Sequence, residues 1–154
     1  MEKIRSNKGM AINVLCAMLM AILLFLQFTP FWHYGEAGET CSISSYIWFP
    51  SEHKEVDSWL TSQAEGHDLN SFVAMPILTL VLSAVGMIFC LMKAKNGWTA
   101  LFSAACGTVG ILTYLISPAL RLGNGWAWHL LLCIVLTALG VVGLIQQIEG
   151  FKQK

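Results

Sequence analysis

Charge is what this sequence has least of. Only 12% of its 154 residues are charged, against about 25% in a soluble domain. Nine basic residues balance nine acidic ones, so no net field draws in nucleic acid or an anionic surface. The chemistry-bearing patterns are missing as well. There is no C-x-x-C, no H-E-x-x-H, no glycine-rich phosphate loop and no nucleophile set beside a base by sequence spacing. These absences argue against a nucleic-acid-binding module, a cofactor- or metal-dependent enzyme and a thiol oxidase, which needs cysteine pairs facing the outer compartment. The expectation is a chain that is not an enzyme and holds no cofactor or metal.

Apolar sequence is abundant: 56% of the residues are hydrophobic. It is concentrated in four runs, at 9–28, 72–92, 98–117 and about 126–145, none of which holds Asp, Glu, Lys or Arg. A helical crossing of a bilayer needs about 20 apolar residues. The sequence therefore predicts an all-α membrane protein, a four-transmembrane-helix bundle in one membrane domain. The first run is longer than the apolar core of a secretory signal, about 7–15 residues, and reads as a retained signal anchor. Lys3, Arg5, Lys8, Lys93, Lys95, Lys152 and Lys154 fall on one side of such a bundle, and only Lys54 and Arg121 on the other. The positive-inside rule then places both termini in the cytoplasm of a multi-pass cell-membrane protein. Trp32, Tyr34, Trp126 and Trp128 are expected at the outer interface and Trp98 at the inner one.

Breakers mark the helix ends. Pro118 stops the third helix, Asn96-Gly97 forms a tight inner turn, and residues 122–125 form a flexible outer one. Pro76 leaves two alternatives: a second helix that starts near Met75, or one that starts at Phe72 and kinks.

Small and weakly polar residues recur at spacings of three and four in every run. They are Asn13, Cys16, Met20 and Gln27 in the first; Thr79, Ser83, Gly86 and Cys90 in the second; Thr99, Ser103, Gly107, Gly110, Tyr114 and Ser117 in the third; and His129, Cys133, Thr137 and Gly140 in the fourth. Lipid is as apolar as Leu, so such residues need protein partners. The stripe Ser103, Gly107, Gly110, Tyr114, His129 and Thr137 is the predicted helix-packing face. Two other uses stay open: a polar path for a solute, and a joint between two copies through Ser103-x-x-x-Gly107. A transport site ordinarily carries an intramembrane charge or a broken helix, and the runs carry no charge.

The extracytoplasmic loop at 30–71 is too long to be structureless. Residues 40–49 are β-branched and aromatic and read as a strand or hairpin arm ended by Pro50. Ser51 is placed to cap an amphipathic helix over about 52–64, stopped by Gly66. Val56, Trp59 and Leu60 share one face of it, placed to contact the membrane surface, the helix ends or a partner protein; if a partner docks there, Trp59 is the expected anchor. Cys41 is expected as a free thiol or a core residue, and the other four cysteines as apolar fillers. His33, His53, His67 and His129 all fall on the outer side with seven carboxylates, at spacings that match no metal-ligand pattern.

Four spans with a large first outer loop and a short second one resemble the layout of claudin-type tetraspan proteins. Their first loop carries a tryptophan motif followed by two cysteines. Trp32 and Cys41 stand in this loop, and a second cysteine does not. The resemblance is one of topology and carries no residue role to this chain. The functional expectation is a non-enzymatic accessory or assembly subunit of a larger membrane complex, partnered by the lipid bilayer and by another membrane protein or a second copy. The alternative is a small oligomeric transporter or channel.

Overall fold

The computed structural model describes residues 2–36, 38–63, 69–92 and 98–151. Four long helices dominate: α1 (Glu2–Leu26), α4 (Leu69–Leu91), α5 (Trp98–Ile116) and α7 (Trp126–Phe151). A small layer made by the 30–63 segment lies at one end. It comprises strands β1 (Pro30–Tyr34) and β2 (Glu39–Ser42) and helices α2 (Ile43–Trp48) and α3 (Lys54–Gln63), with a 3-10 turn at Pro50–Glu52. Helix α6 (Pro118–Arg121) links α5 to α7 at the same end.

The long helices pack in the ring order α1, α4, α5, α7, and α5 also reaches across to α1. Neighbours run antiparallel. Cys90, late in α4, donates to the Asn13 carbonyl early in α1 at 3.7 Å. Gly143, late in α7, faces Ala100 and Ile12. The start of α1 and the late part of α7 therefore share the end opposite the loop layer.

Burial follows the three–four spacing. Cys16, Met20 and Leu23 are buried on α1, with Gln27 just past its end, and His129, Cys133, Leu136 and Gly140 on α7. Helix α5 buries two stripes, Thr99-Ser103-Cys106-Gly110-Thr113 and Ala100-Gly107-Tyr114, because it has neighbours on both sides. The opposite faces expose Leu, Ile, Val and Phe.

Proline sets two boundaries. Pro118 ends α5 and opens α6 at its first position, where a missing N–H costs nothing. Pro76 lies inside α4, which starts at Leu69, three residues before the earlier of the two expected starts. Asn96-Gly97, Gly66 and the basic residues at 93, 95, 152 and 154 lie outside the described residues.

The loop differs from expectation in three ways. The strand ends at Ser42, not Phe49, because the Ser42 hydroxyl caps α2 by accepting from the Ser45 amide at 3.1 Å. Helix α3 starts at Lys54, after the 3-10 turn that takes the place of a Ser51 cap. Trp32 is not at the surface. Its register slips against β2 between Pro30 and Trp32, and this bulge turns two consecutive side chains, Phe31 and Trp32, into the core.

Candidate functional site

The buried polar groups fall into two sets, one between the long helices and one in the loop layer. Between the helices, glycine sets the spacing. A methyl group on Gly107 would strike Thr137 and the Cys133 carbonyl, and one on Gly140 would come within 2.8 Å of Ala104 Cα. The α5 and α7 backbones are thus in direct contact, and the neighbouring hydroxyls close onto carbonyls. Ser103 Oγ donates to the Leu136 carbonyl at 3.1 Å across the seam, and Thr137 Oγ1 to the Cys133 carbonyl at 2.9 Å. On the other side of α5, Ser83 Oγ lies 3.0 Å from Cys106 Sγ. At the top of the seam Tyr114 Oη meets His129 Nδ1 at 2.6 Å, both residues being buried. The Phe31 ring lies 5.1 Å from the imidazole.

All six residues of the expected stripe therefore lie on one seam. The pairing of Tyr114 with His129 was not visible in the spacing, because it spans the turn between α5 and α7. Ser103 and Gly107 are occupied within one chain, so this stripe is not free to join a second copy. Among the described residues, Thr99 Oγ1 is the one buried side-chain polar atom without a hydrogen-bond partner. A cavity of about 10 Å³, bordered by Gln27, Pro76, Thr79, Thr113 and Tyr114, sits beside the seam. It is about large enough for one water molecule.

In the loop layer, side chains pin each element to the next. Trp32 Nε1 donates to the Ala119 carbonyl at 2.9 Å, tying β1 to α6. The Asn124 amide donates to the Phe31 carbonyl at 2.6 Å. Tyr46 Oη donates to Asp57 Oδ1 at 2.7 Å, joining α2 to α3. Burial, and then this bond to Asp57, push the Tyr46 hydroxyl above its usual pKa. Cys41 is buried as a free thiol, and burial pushes it up to about 11.

Ser45 Oγ lies 2.7 Å from His53 Nε2, a nucleophile–base distance that sequence spacing did not reveal. The amides around it are committed, Ser44 to the Gln27 carbonyl and Ser45 to the Ser42 hydroxyl. Neither can therefore stabilise an oxyanion at Ser45. The pair acts as a clasp between α2 and the start of α3.

Val56 and Leu60, expected to meet a partner, are fully buried against this chain's own core, and Trp59 is half-buried at its edge. The apolar face of α3 is used to dock α3. Of the four histidines, His33 is exposed, His53 is in the clasp, His129 is in the seam, and His67 lies outside the described residues. No three His, Cys, Asp or Glu side chains converge among the described residues.

Together these features define a mostly helical protein with a small two-stranded sheet. Two of its helical segments, Trp98–Ile116 and Trp126–Ile148, are long and apolar enough to cross a bilayer, while Met10–Leu26 and Pro76–Leu91 are shorter apolar stretches. Comparison of the chain with protein-family models, curated proteins and solved structures gives no match.

Proposed function

We propose that this chain is a four-span protein of the cell membrane with both termini cytoplasmic, and that it acts without catalysis as an accessory or assembly subunit of a larger membrane complex. The observation that carries this reading is the direct backbone contact of α5 and α7 at Gly107 and Gly140. It fills the interior with helix packing where a transporter needs a path. The cavity beside Gln27 would hold about one water, whereas small-molecule pockets measure about 300–1,000 Å³. Hydroxyls that could line a path are turned onto carbonyls. The four-span reading is supported by the ring of four long helices and by the bias of lysine and arginine to one side.

With Val56 and Leu60 buried, the partner contact narrows to the exposed edge of α3, where half-buried Trp59 stands beside exposed Glu55, Ser58 and Ser62. The test is purification of the tagged chain in mild detergent followed by mass spectrometry. A membrane protein should co-purify in near-stoichiometric amount, and Trp59→Ala should release it while the melting temperature stays near that of the wild type. Absence of any partner, together with solute flux in reconstituted vesicles that changes on Tyr114→Phe, would replace this reading with a transporter. Orientation is checked separately: a cysteine at Asn124 should react with an impermeant reagent on intact cells, and one at Gln153 should not.

A further inference from the structure

Helix α2 ends on two aromatic side chains that point away from the protein. Trp48 is 59% exposed and Phe49 55%. The earlier residues Ile43, Ser44 and Tyr46 are buried, so the inner face of α2 is engaged and only its apolar end is open. What covers that end follows from its height along the bundle. The Ser44 amide donates to the Gln27 carbonyl at 2.9 Å, which fixes the start of α2 just past the last turn of α1. Trp48 is four residues further on, at most about 6 Å along a helix axis. The bond from the Asn124 amide to the Phe31 carbonyl ties the same layer to the turn that opens α7.

Two more aromatics are open at this level: Phe28, 58% exposed beyond the end of α1, and Trp128, 72% exposed in the first turn of α7. On the helix side of the level the exposed residues are apolar, as at Phe25, Leu131 and Ile134. In the loop layer itself, α3, joined to α2 by the Tyr46–Asp57 bond, exposes Glu55, Ser58 and Ser62. The aromatics thus mark a boundary between an apolar and a polar surface, which is where Trp is enriched in membrane proteins. Two adjacent rings are a small area beside the roughly 800 Å² that each partner buries in a stable protein interface. They suffice for an anchor in lipid.

We propose that α2 is a membrane-surface element whose Trp48–Phe49 end inserts among the headgroups and upper acyl chains of the outer leaflet. The loop layer is then held down on the membrane at α2, while α3 faces water. This rests on the four-span reading, and the experiment separates the two.

The full-length protein is reconstituted in phosphatidylcholine liposomes with a nitroxide label at Trp48→Cys, Phe49→Cys, Ser58→Cys or Ile134→Cys. Wild-type protein treated in the same way gives the background from native thiols. Collision of each label with oxygen, which partitions into lipid, is compared with collision with a water-soluble nickel chelate. Labels at 48 and 49 should favour oxygen severalfold over the label at 58 and fall short of the label at 134. Two results overturn the proposal while leaving the four-span reading intact: labels at 48 and 49 as open to the chelate as the label at 58, or labels shielded from both reagents, with 134 still open to oxygen alone. A label at 134 freely reached by the chelate would remove the four-span reading, and the proposal with it.

Discussion

Tyr114 and His129 share a hydrogen bond of 2.6 Å between helices α5 and α7, with both side chains withdrawn from solvent. A buried polar group left without its partner costs about 1–3 kcal/mol, while replacing both members with apolar groups can be nearly neutral. Tyr114→Phe alone should therefore destabilise the fold by about that amount in a detergent thermal melt. Adding His129→Leu to Tyr114→Phe should cost less than the sum of the two single changes. Strict additivity would mean that the pair is not coupled.

The glycine contacts give a second prediction. Gly107→Leu drives a side chain into Thr137 and the Cys133 carbonyl, and Gly140→Leu drives one into the Ala100–Ala104 backbone. Overpacking costs typically about 1–3 kcal/mol. It should be larger here, because backbone cannot rotate out of the way. Leu101 is exposed on the outer face of α5, so Leu101→Ile should leave the melting temperature nearly unchanged. Equal stability of all three variants would show that α5 and α7 do not meet at these positions.

Much of the packing between the long helices was legible in the sequence. Cys16, Met20, Gln27, Ser103, Gly107, Gly110, Cys133 and Gly140 stand at spacings of three and four in runs of Leu, Ile and Val, and a helix converts that spacing directly into a face. The loop layer was less legible, because its contacts depend on local geometry. Residues 40–49 are rich in strand-forming types, yet Ser42 caps a helix and Ile43, Tyr46 and Ile47 follow at helical spacing. That competing signal was present and outweighed by composition. Strand β1 hid behind its bulge, since two consecutive inward residues, Phe31 and Trp32, break the alternation that marks a strand. The Ser45–His53 and Tyr46–Asp57 bonds depend on how α3 folds back onto α2, which no local pattern encodes.

Cys41 offers a prediction in pH. Burial raises its thiol from an ordinary 9.0 to about 11. At pH 8 the thiolate is then about a hundredfold scarcer than for an open cysteine, and the thiolate is the reactive form. Alkylation by an impermeant reagent should be at least that much slower than at Asn124→Cys. The linkage has a definite sign. A folded-state pKa above the unfolded one gives stability that is complete below about pH 9 and is lost as pH rises through about 11. The wild type should lose stability over that window more steeply than Cys41→Ser, as read by thermal melts at stepped pH. Rapid alkylation at pH 8 would mean that the thiol is open to water.

The attachment of the loop layer to the long helices concentrates at Phe31 and Gly123. A methyl group on Gly123 would overlap the edge of the Phe31 ring, so the ring occupies space that glycine leaves free. The same ring lies 5.1 Å from His129 and 5.1 Å from Trp32, and the Phe31 carbonyl accepts from the Asn124 amide. Gly123→Ala should therefore displace Phe31 and loosen β1. The glycine-packed seam of α5 and α7 lies further down the bundle and should persist. The expected result is selective. Amides of 30–63 should exchange with deuterium at least tenfold faster, Cys41 should become open to alkylation, and amides of 100–110 and 133–143 should keep their protection. Gly123→Ala is also to be compared with Phe31→Ala/Gly123→Ala, in which the clash is gone and the ring contact is lost. If the loop detaches because of the clash, the double variant should recover part of the protection. If it detaches because the ring is lost, the double variant should match the single one. Unchanged exchange in Gly123→Ala would mean that the Phe31 ring does not hold the loop layer, leaving that role to the Trp32–Ala119, Asn124–Phe31 and Ser44–Gln27 hydrogen bonds.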